Sequence, residues 1–274
     1  MTSVSVGSVF LGTAGWVQKV TKREAYRILE TFYESGFRWV DTATNYPIDQ
    51  IPENYGKTIE WLSEFCLQLP ELKIFVKAGS ATNLGESKQL INASYFALMF
   101  DILLGKFRGC FGGLAVHWDD GADAVDRMTT IDFLASISNR GFEIGLSGIA
   151  NPEIYLEHSL IQSLPWIYQA NLSPIRSNQI SHELDRIKEN FPKAKVYGYN
   201  LLGGIAGKGL LGDGDRLSGL RKTIIGHSTA TGTGILDQVI SHALSHKVDG
   251  LIIGPTSVGQ CLEWCATLDR FSLV

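Results

Sequence analysis

Eight short apolar runs recur along this chain, each separated from the next by a longer segment of helical periodicity. That alternation constrains the fold more than any other feature. The runs are VFLGT (9–13), FRWVD (37–41), KIFVK (73–77), GLAVH (113–117), EIGLS (143–147), WIYQA (166–170), KVYGY (195–199) and GLIIG (250–254). They are nearly all apolar, as strands are when both faces of a parallel sheet are covered. Thr21 is placed to cap a helix running through Tyr33, and further helices are expected over 53–66, about 92–106, 123–138, 151–161, 181–190, 233–246 and 257–268. Strands alternating with helices mean parallel βαβ units. The expected fold class is α/β, a (β/α)8 TIM barrel, with an open doubly wound sheet as the alternative. A barrel takes roughly 250 residues, and no linker or low-complexity tract divides the 274 here, so one domain over 1–274 is expected.

Composition narrows the partners. The net charge is −4 with no dense Lys/Arg run, which gives no support to nucleic-acid binding. No apolar run reaches the roughly 18 residues of a membrane span. The amino terminus, MTSVSVGSVFLGTAG, lacks the basic region and apolar core of a signal peptide, so a cytoplasmic location is the default. Cys66, Cys110, Cys261 and Cys265 are too few for a disulfide scaffold and form no CxxC pair, and Cys261 and Cys265, four apart, read as buried, reduced packing residues. Nothing indicates an oligomeric state.

The carboxyl ends of the runs carry residues that core packing would not choose: Thr13, Asp41, Lys77, His117, Ser147, Gln169 and Tyr199, with Gly254 last. A barrel gathers these ends on one face, where barrel enzymes place their active sites. Charges such as Asp41 and Lys77 facing a crowded centre need partners. A tyrosine beside them would have its phenol made more acidic by the ammonium, while the carboxylate keeps that ammonium charged. With a histidine to align a carbonyl oxygen, such a set can protonate a developing alkoxide while hydride arrives on carbon.

The segment DTATNYP (41–47) resembles the aldo-keto reductase superfamily, whose DTA-x-x-Y motif supplies an Asp and a Tyr five residues apart, here Asp41 and Tyr46. IFVKAG matches the family's lysine at Lys77, and LAVHWDD its histidine at His117, followed by Trp118. The resemblance implies that Tyr46 is the acid/base, Lys77 the cation beside it, Asp41 the orienter of Lys77 and His117 the carbonyl aligner. IGLSGI, YQANLSP and GYNLLGG place Ser147 and Gln169 at a nicotinamide carboxamide and the Tyr199 ring on the nicotinamide. The same likeness assigns Gly12, Thr13, Asn200, Leu201, Gly203, Gly254, Thr256 and Gln260 to cofactor binding, with LLGGIAGKG (201–209) crossing the pyrophosphate and LIIGPTSVGQCLEW (251–264) at the adenosine end.

The chain departs from the family pattern in several places. Pro47 follows Tyr46 where Gly is usual, Gly148 stands where an Asn usually helps hold the carboxamide, and Trp264 replaces an Asn that contacts adenine. Gly254, Thr256 and Gln260 leave the last motif without the basic residue that clamps a 2′-phosphate. Family precedent implies NADPH, and the missing clamp keeps NADH open. The spacing from Lys77 to His117 implies an extra loop over 79–91.

Other signals are read as structural. GKGLLG (207–212) fits GxGxxG by letter but does not open a helix after a strand. His242 and His246, four apart, read as a solvated or half-buried helix face, and no metal site is expected. Trp61 and Trp166 read as packing, Trp16 and Trp118 as walls of a substrate pocket, and Asp119 and Asp120 as a helix cap or solvated turn. No Lys or Arg stands out at the mouth, and with little chain beyond the last helix the pocket is expected to be open and broad. The partner expected is a small carbonyl or alcohol. A barrel lyase using Lys77 as a Schiff base and a non-catalytic nucleotide-binding sensor or partner subunit are the rival readings.

Overall fold

In a computed structural model, the residues described are 9–84, 89–119, 123–156, 158–173, 177–202 and 234–271. Eight parallel strands form a closed barrel in sequence order: β1 (Val9–Gly12), β2 (Trp39–Ala43), β3 (Lys73–Ala78), β4 (Phe111–His117), β5 (Glu143–Ser147), β6 (Trp166–Asn171), β7 (Lys195–Tyr199) and β8 (Gly250–Ile253). β1 pairs with β8, which closes the ring and leaves no open edge. The (β/α)8 barrel expected from the alternation is therefore the fold, and the open sheet is excluded.

Strand side chains alternate in direction, so each strand serves two cores. Phe10, Phe75, Ala115, Ile167, Tyr197 and Ile252 point inward and fill the barrel. The Phe10 ring lies 5.2 Å from Trp39 in a stacked pair and 4.7 Å from Tyr197. The intervening residues, such as Leu11, Val40, Ile74, Val76, Leu114 and Val116, face the helices in one continuous outer core. Large-to-Ala changes in such cores cost about 3–5 kcal/mol.

The described helices are α1 (Lys22–Glu34), α2 (Lys57–Phe65), α3 (Ala93–Phe107), α4 (Ala124–Ser138), α5 (Glu153–Leu156), α6 (Ser159–Ser163), α7 (Ser177–Asn190), α8 (Ile235–Ser245) and α9 (Val258–Arg270). Thr21, Asn92, Asp123 and Ser257 cap α1, α3, α4 and α9 through side-chain acceptors. Two expected helices are broken. Over 53–66, Gly56 at φ 75° separates a short 3-10 turn (Pro52–Asn54) from α2. Over 151–161, His158 takes an extended backbone and its Nδ1 accepts from Leu160 N–H at 3.2 Å, starting a new helix. All four cysteines are buried and free, and Trp61 and Trp166 are core residues, as expected.

Candidate active site

The barrel's inward layer positions the site. Two residues beyond a barrel-filling side chain, on the same face of the same strand, comes the next inward position, and there the chemistry sits. Asp41 follows Trp39, Lys77 follows Phe75, His117 follows Ala115, Ser147 follows Gly145, Gln169 follows Ile167 and Tyr199 follows Tyr197. Gly12 and Gly254 continue the series on β1 and after β8. Parallel registry brings neighbours level, with Gly12 opposite Asp41 and Ser147 opposite both His117 and Gln169.

These residues line a cavity of about 370 Å³ at the carboxyl end of the barrel. On its floor, Lys77 Nζ forms a buried ion pair with Asp41 Oδ2. Asp41 Oδ1 accepts a second hydrogen bond from Gln169 Nε2 at 2.6 Å. Tyr46, from the loop after β2, is buried beside the Lys77 ammonium, which stands 5.1 Å from the centre of its ring. The His117 imidazole meets the Tyr46 ring edge-on at 5.8 Å. Pro47 follows through a cis peptide bond.

Electrostatics overturn one expectation. The Tyr46 phenol is raised above its ordinary value, not lowered. Burial disfavours the phenolate, and this outweighs the Lys77 ammonium, while the Asp41 charge adds to the rise. Lys77, though desolvated, is held above its usual value by Asp41 and then by Tyr46, so it stays an ammonium. Burial, and then Lys77, pushes His117 well below the imidazole range. The resting set is thus a neutral phenol, a cation–carboxylate pair and a neutral imidazole. His117 Nδ1 is buried without a partner among the described residues.

A model of the aldo/keto reductase family matches residues 6–207. The chain belongs to that family. Protein tas of Escherichia coli is 24% identical over 173 residues, which cover 55% of this chain and 50% of the relative, so the match spans about half the length of that curated relative. An aldo-keto reductase structure from Bacillus halodurans, in its holo form, has a TM-score of 0.70 at 16% identity, covering 96% of this chain and 86% of that one. A Pseudomonas aeruginosa structure described under the same family gives 0.65 at 17% identity, covering 98% and 92%. Both share the barrel.

In this aldo/keto reductase family member the other expected site residues divide. Ser147, Gln169, Tyr199, Asn200, Leu201, Gly12, Gly254, Thr256 and Trp118 all line the cavity. Thr13 does not. It falls one residue past the inward series, and its Oγ1 donates to the Asp41 carbonyl at 3.0 Å. Gln260 does not either, because its Oε1 accepts from Thr256 N–H and Oγ1 at 2.8 and 3.0 Å and so braces the turn after β8. Trp16 is 1% exposed and packs against Phe65 in the outer core, away from the pocket. Gly203, the 201–209 stretch beyond Leu202 and Asp120 lie outside the described residues.

Two features were not read correctly, or at all, in the sequence. Lys19, in the loop between β1 and α1, lines the cavity with Gly15, Thr256 and Trp264, although no basic residue was expected at the mouth. Loops on this face are all candidates, and its position seven residues past β1 was the available signal. Asp119 is neither a cap nor solvated: it is 2% exposed, accepts from Arg127 Nε and Nη2 at 2.5 and 3.0 Å, and accepts from the Tyr155 hydroxyl at 2.5 Å. Asp123 caps α4 instead. Within 79–91, Ser80 and Gln89 form an antiparallel bridge, and Gln89 Nε2 donates to the Trp118 carbonyl at 2.5 Å, while 85–88 lie outside the described residues. Among the described residues, no group of three His, Cys, Asp or Glu could hold a metal, and no helix is long and apolar enough to cross a membrane.

Proposed function

We propose that this chain is an NAD(P)(H)-dependent oxidoreductase that interconverts a small carbonyl compound and its alcohol, with Tyr46 as the proton donor. The observation that carries the proposal is the meeting of Tyr46, the Asp41–Lys77 ion pair and His117 in one cleft. The cleft suits a nicotinamide nucleotide by its donor set. Gln169 and Ser147 offer an amide and a hydroxyl on β6 and β5, and Gly12 on β1 and Gly254 after β8 line the cleft without side chains. A reduced nicotinamide held there would supply hydride. The neutral His117 imidazole orients the substrate carbonyl, and the Tyr46 hydroxyl gives its proton to the oxygen as charge develops. Lys77 stabilises the phenolate left behind, and Asp41 keeps Lys77 charged and aimed.

Lys19 supports NADPH over NADH, because it brings a cation to the Thr256–Trp264 end of the cleft that the last motif itself lacks. The Schiff-base reading loses ground on the state of Lys77, since a lysine nucleophile must be a free amine and Asp41 holds this one protonated. The cytoplasm remains the proposed location, and one barrel domain over 1–274 the proposed organisation. The test is binding of NADPH and NADH side by side, followed by turnover of a panel of aldehydes and ketones. Binding with hydride transfer supports the reading. Binding without any turnover would make the chain a nucleotide sensor, and borohydride trapping of a substrate on Lys77 would make it a lyase.

A further inference from the structure

Gln169 faces two ways. Its Nε2 donates to Asp41 Oδ1 at 2.6 Å, although 128 positions separate the two residues, and both are 3% exposed. An ionised carboxylate can only accept, so the amide must turn its NH2 toward Asp41. That leaves Oε1 for the cleft, where it accepts no hydrogen bond from any described residue. Asp41 is in turn paired with Lys77 through its other oxygen, and the Lys77 ammonium stands 5.1 Å from the centre of the Tyr46 ring. The Asp41 charge pushes the Tyr46 phenol up while the Lys77 ammonium pulls it down. An N–H dipole resting on Asp41 weakens the upward push without adding a charge of its own.

We infer that Gln169 is a positioning residue that couples a bound carboxamide to the acidity of Tyr46. This rests on the nucleotide reading of the cleft proposed above. With one N–H of Nε2 fixed on Asp41, Gln169 presents Oε1 to the cleft as an acceptor, which suits a ligand N–H such as the primary amide of nicotinamide carries. Donation into Oε1 polarises the Gln169 amide and strengthens its bond to Asp41, because hydrogen bonds in a chain reinforce one another. Less of the Asp41 charge then opposes ionisation of Tyr46. Nucleotide binding thereby makes the phenol a readier proton donor only when the ring carrying the hydride is in place.

The experiment reads Tyr46 directly. Tyrosinate absorbance is titrated in the wild-type protein and in Tyr46→Phe, and the difference isolates one of nine tyrosines. In nucleotide-free protein, Gln169→Met is expected to move the Tyr46 midpoint to higher pH by roughly half to one unit, as loss of one hydrogen bond to a charged neighbour implies. Ser147→Ala is expected to weaken nucleotide binding while leaving that midpoint in place. In the wild type, the oxidised nucleotide is expected to lower the midpoint, and the analogue carrying an acetyl group in place of the carboxamide, which has no N–H to offer, is expected to bind without lowering it. An unchanged midpoint in Gln169→Met, or equal shifts with both nucleotides, overturns the coupling. Failure of the wild type to bind either nucleotide overturns the nucleotide reading instead, and the nucleotide-free titration still decides whether Gln169 acts on Tyr46.

Discussion

Trp118 and Gly148 share one space: a Cβ built on Gly148 would stand 2.6 Å from Trp118 Cδ1 and 3.3 Å from its Nε1. Both residues are left-handed, Gly148 at φ 67° and Trp118 at φ 58°. For a bulky residue that conformation is strained and needs support from its surroundings. Trp118 has it, from its own N–H on the Ser147 carbonyl at 3.0 Å and from Gln89 on its carbonyl oxygen. The glycine that departs from the family pattern thus makes room for the indole that walls the cleft.

Gly148→Ala is expected to lose about 1–2 kcal/mol of stability from the left-handed backbone alone and to displace the indole. Urea unfolding reads the first effect, and the shift in tryptophan emission that Trp118→Phe abolishes reads the second. A variant with unchanged stability and emission would show that the two residues do not contend for this space.

The Asp119–Arg127 pair, which begins one residue after Trp118, is buried on both sides. Arg127→Met leaves the Asp119 charge desolvated and without its guanidinium partner. Breaking a buried pair from one side costs about 3–5 kcal/mol. Chemical denaturation of this variant measures it. A loss below about 1 kcal/mol, the range of exposed pairs, would mean that Asp119 is solvated after all.

Strand ends were legible because two periods coincide. The alternation of apolar runs gave the barrel, and period-two alternation within each run put Asp41, Lys77, His117, Ser147, Gln169 and Tyr199 on the inward face above Phe75 and its neighbours. Thr13 was misplaced because a run's last letter is not always its last inward position. Trp16 was misplaced because the loop after β1 turns it back on Phe65. Lys19 went unread and Asp119 was misread for a different reason. Their partners, Thr256 with Trp264 and Arg127 with Tyr155, come together only when the ring of strands has closed and the loops have folded over it. The direction of the Tyr46 shift was missed because charges can be counted in a sequence, whereas desolvation depends on burial.

The pH dependence follows from that shift. Tyr46 is raised above a phenol's ordinary value of 10.0, so it carries its proton throughout the neutral range. Carbonyl reduction, which needs the protonated phenol, is expected to fall only as pH rises through the Tyr46 ionisation. Alcohol oxidation needs the phenolate and is expected to climb over the same span. His117 is held well below its ordinary 6.5 and stays neutral, so it adds no decline between pH 6.5 and 7. Initial rates in both directions across pH check this. A reduction rate that drops as pH rises from 6 to 8 would contradict it.

Lys19→Ala is expected to weaken NADPH binding by about fivefold, the order of one exposed ion contact, with NADH binding less affected. Direct titration of both nucleotides at low salt reads the ratio. Equal losses for the two would place Lys19 at a part of the nucleotide they share.

Single-turnover hydride transfer in Tyr46→Phe, read by loss of NADPH absorbance, tests the proposed chemistry most directly. Removing one such donor is worth about 3–4 kcal/mol, so the expected result is a rate at least about a hundredfold slower with NADPH affinity unchanged. A rate within a few-fold of the wild type would mean that the proton comes from elsewhere and that the Asp41–Lys77–Tyr46 set does not carry the reaction.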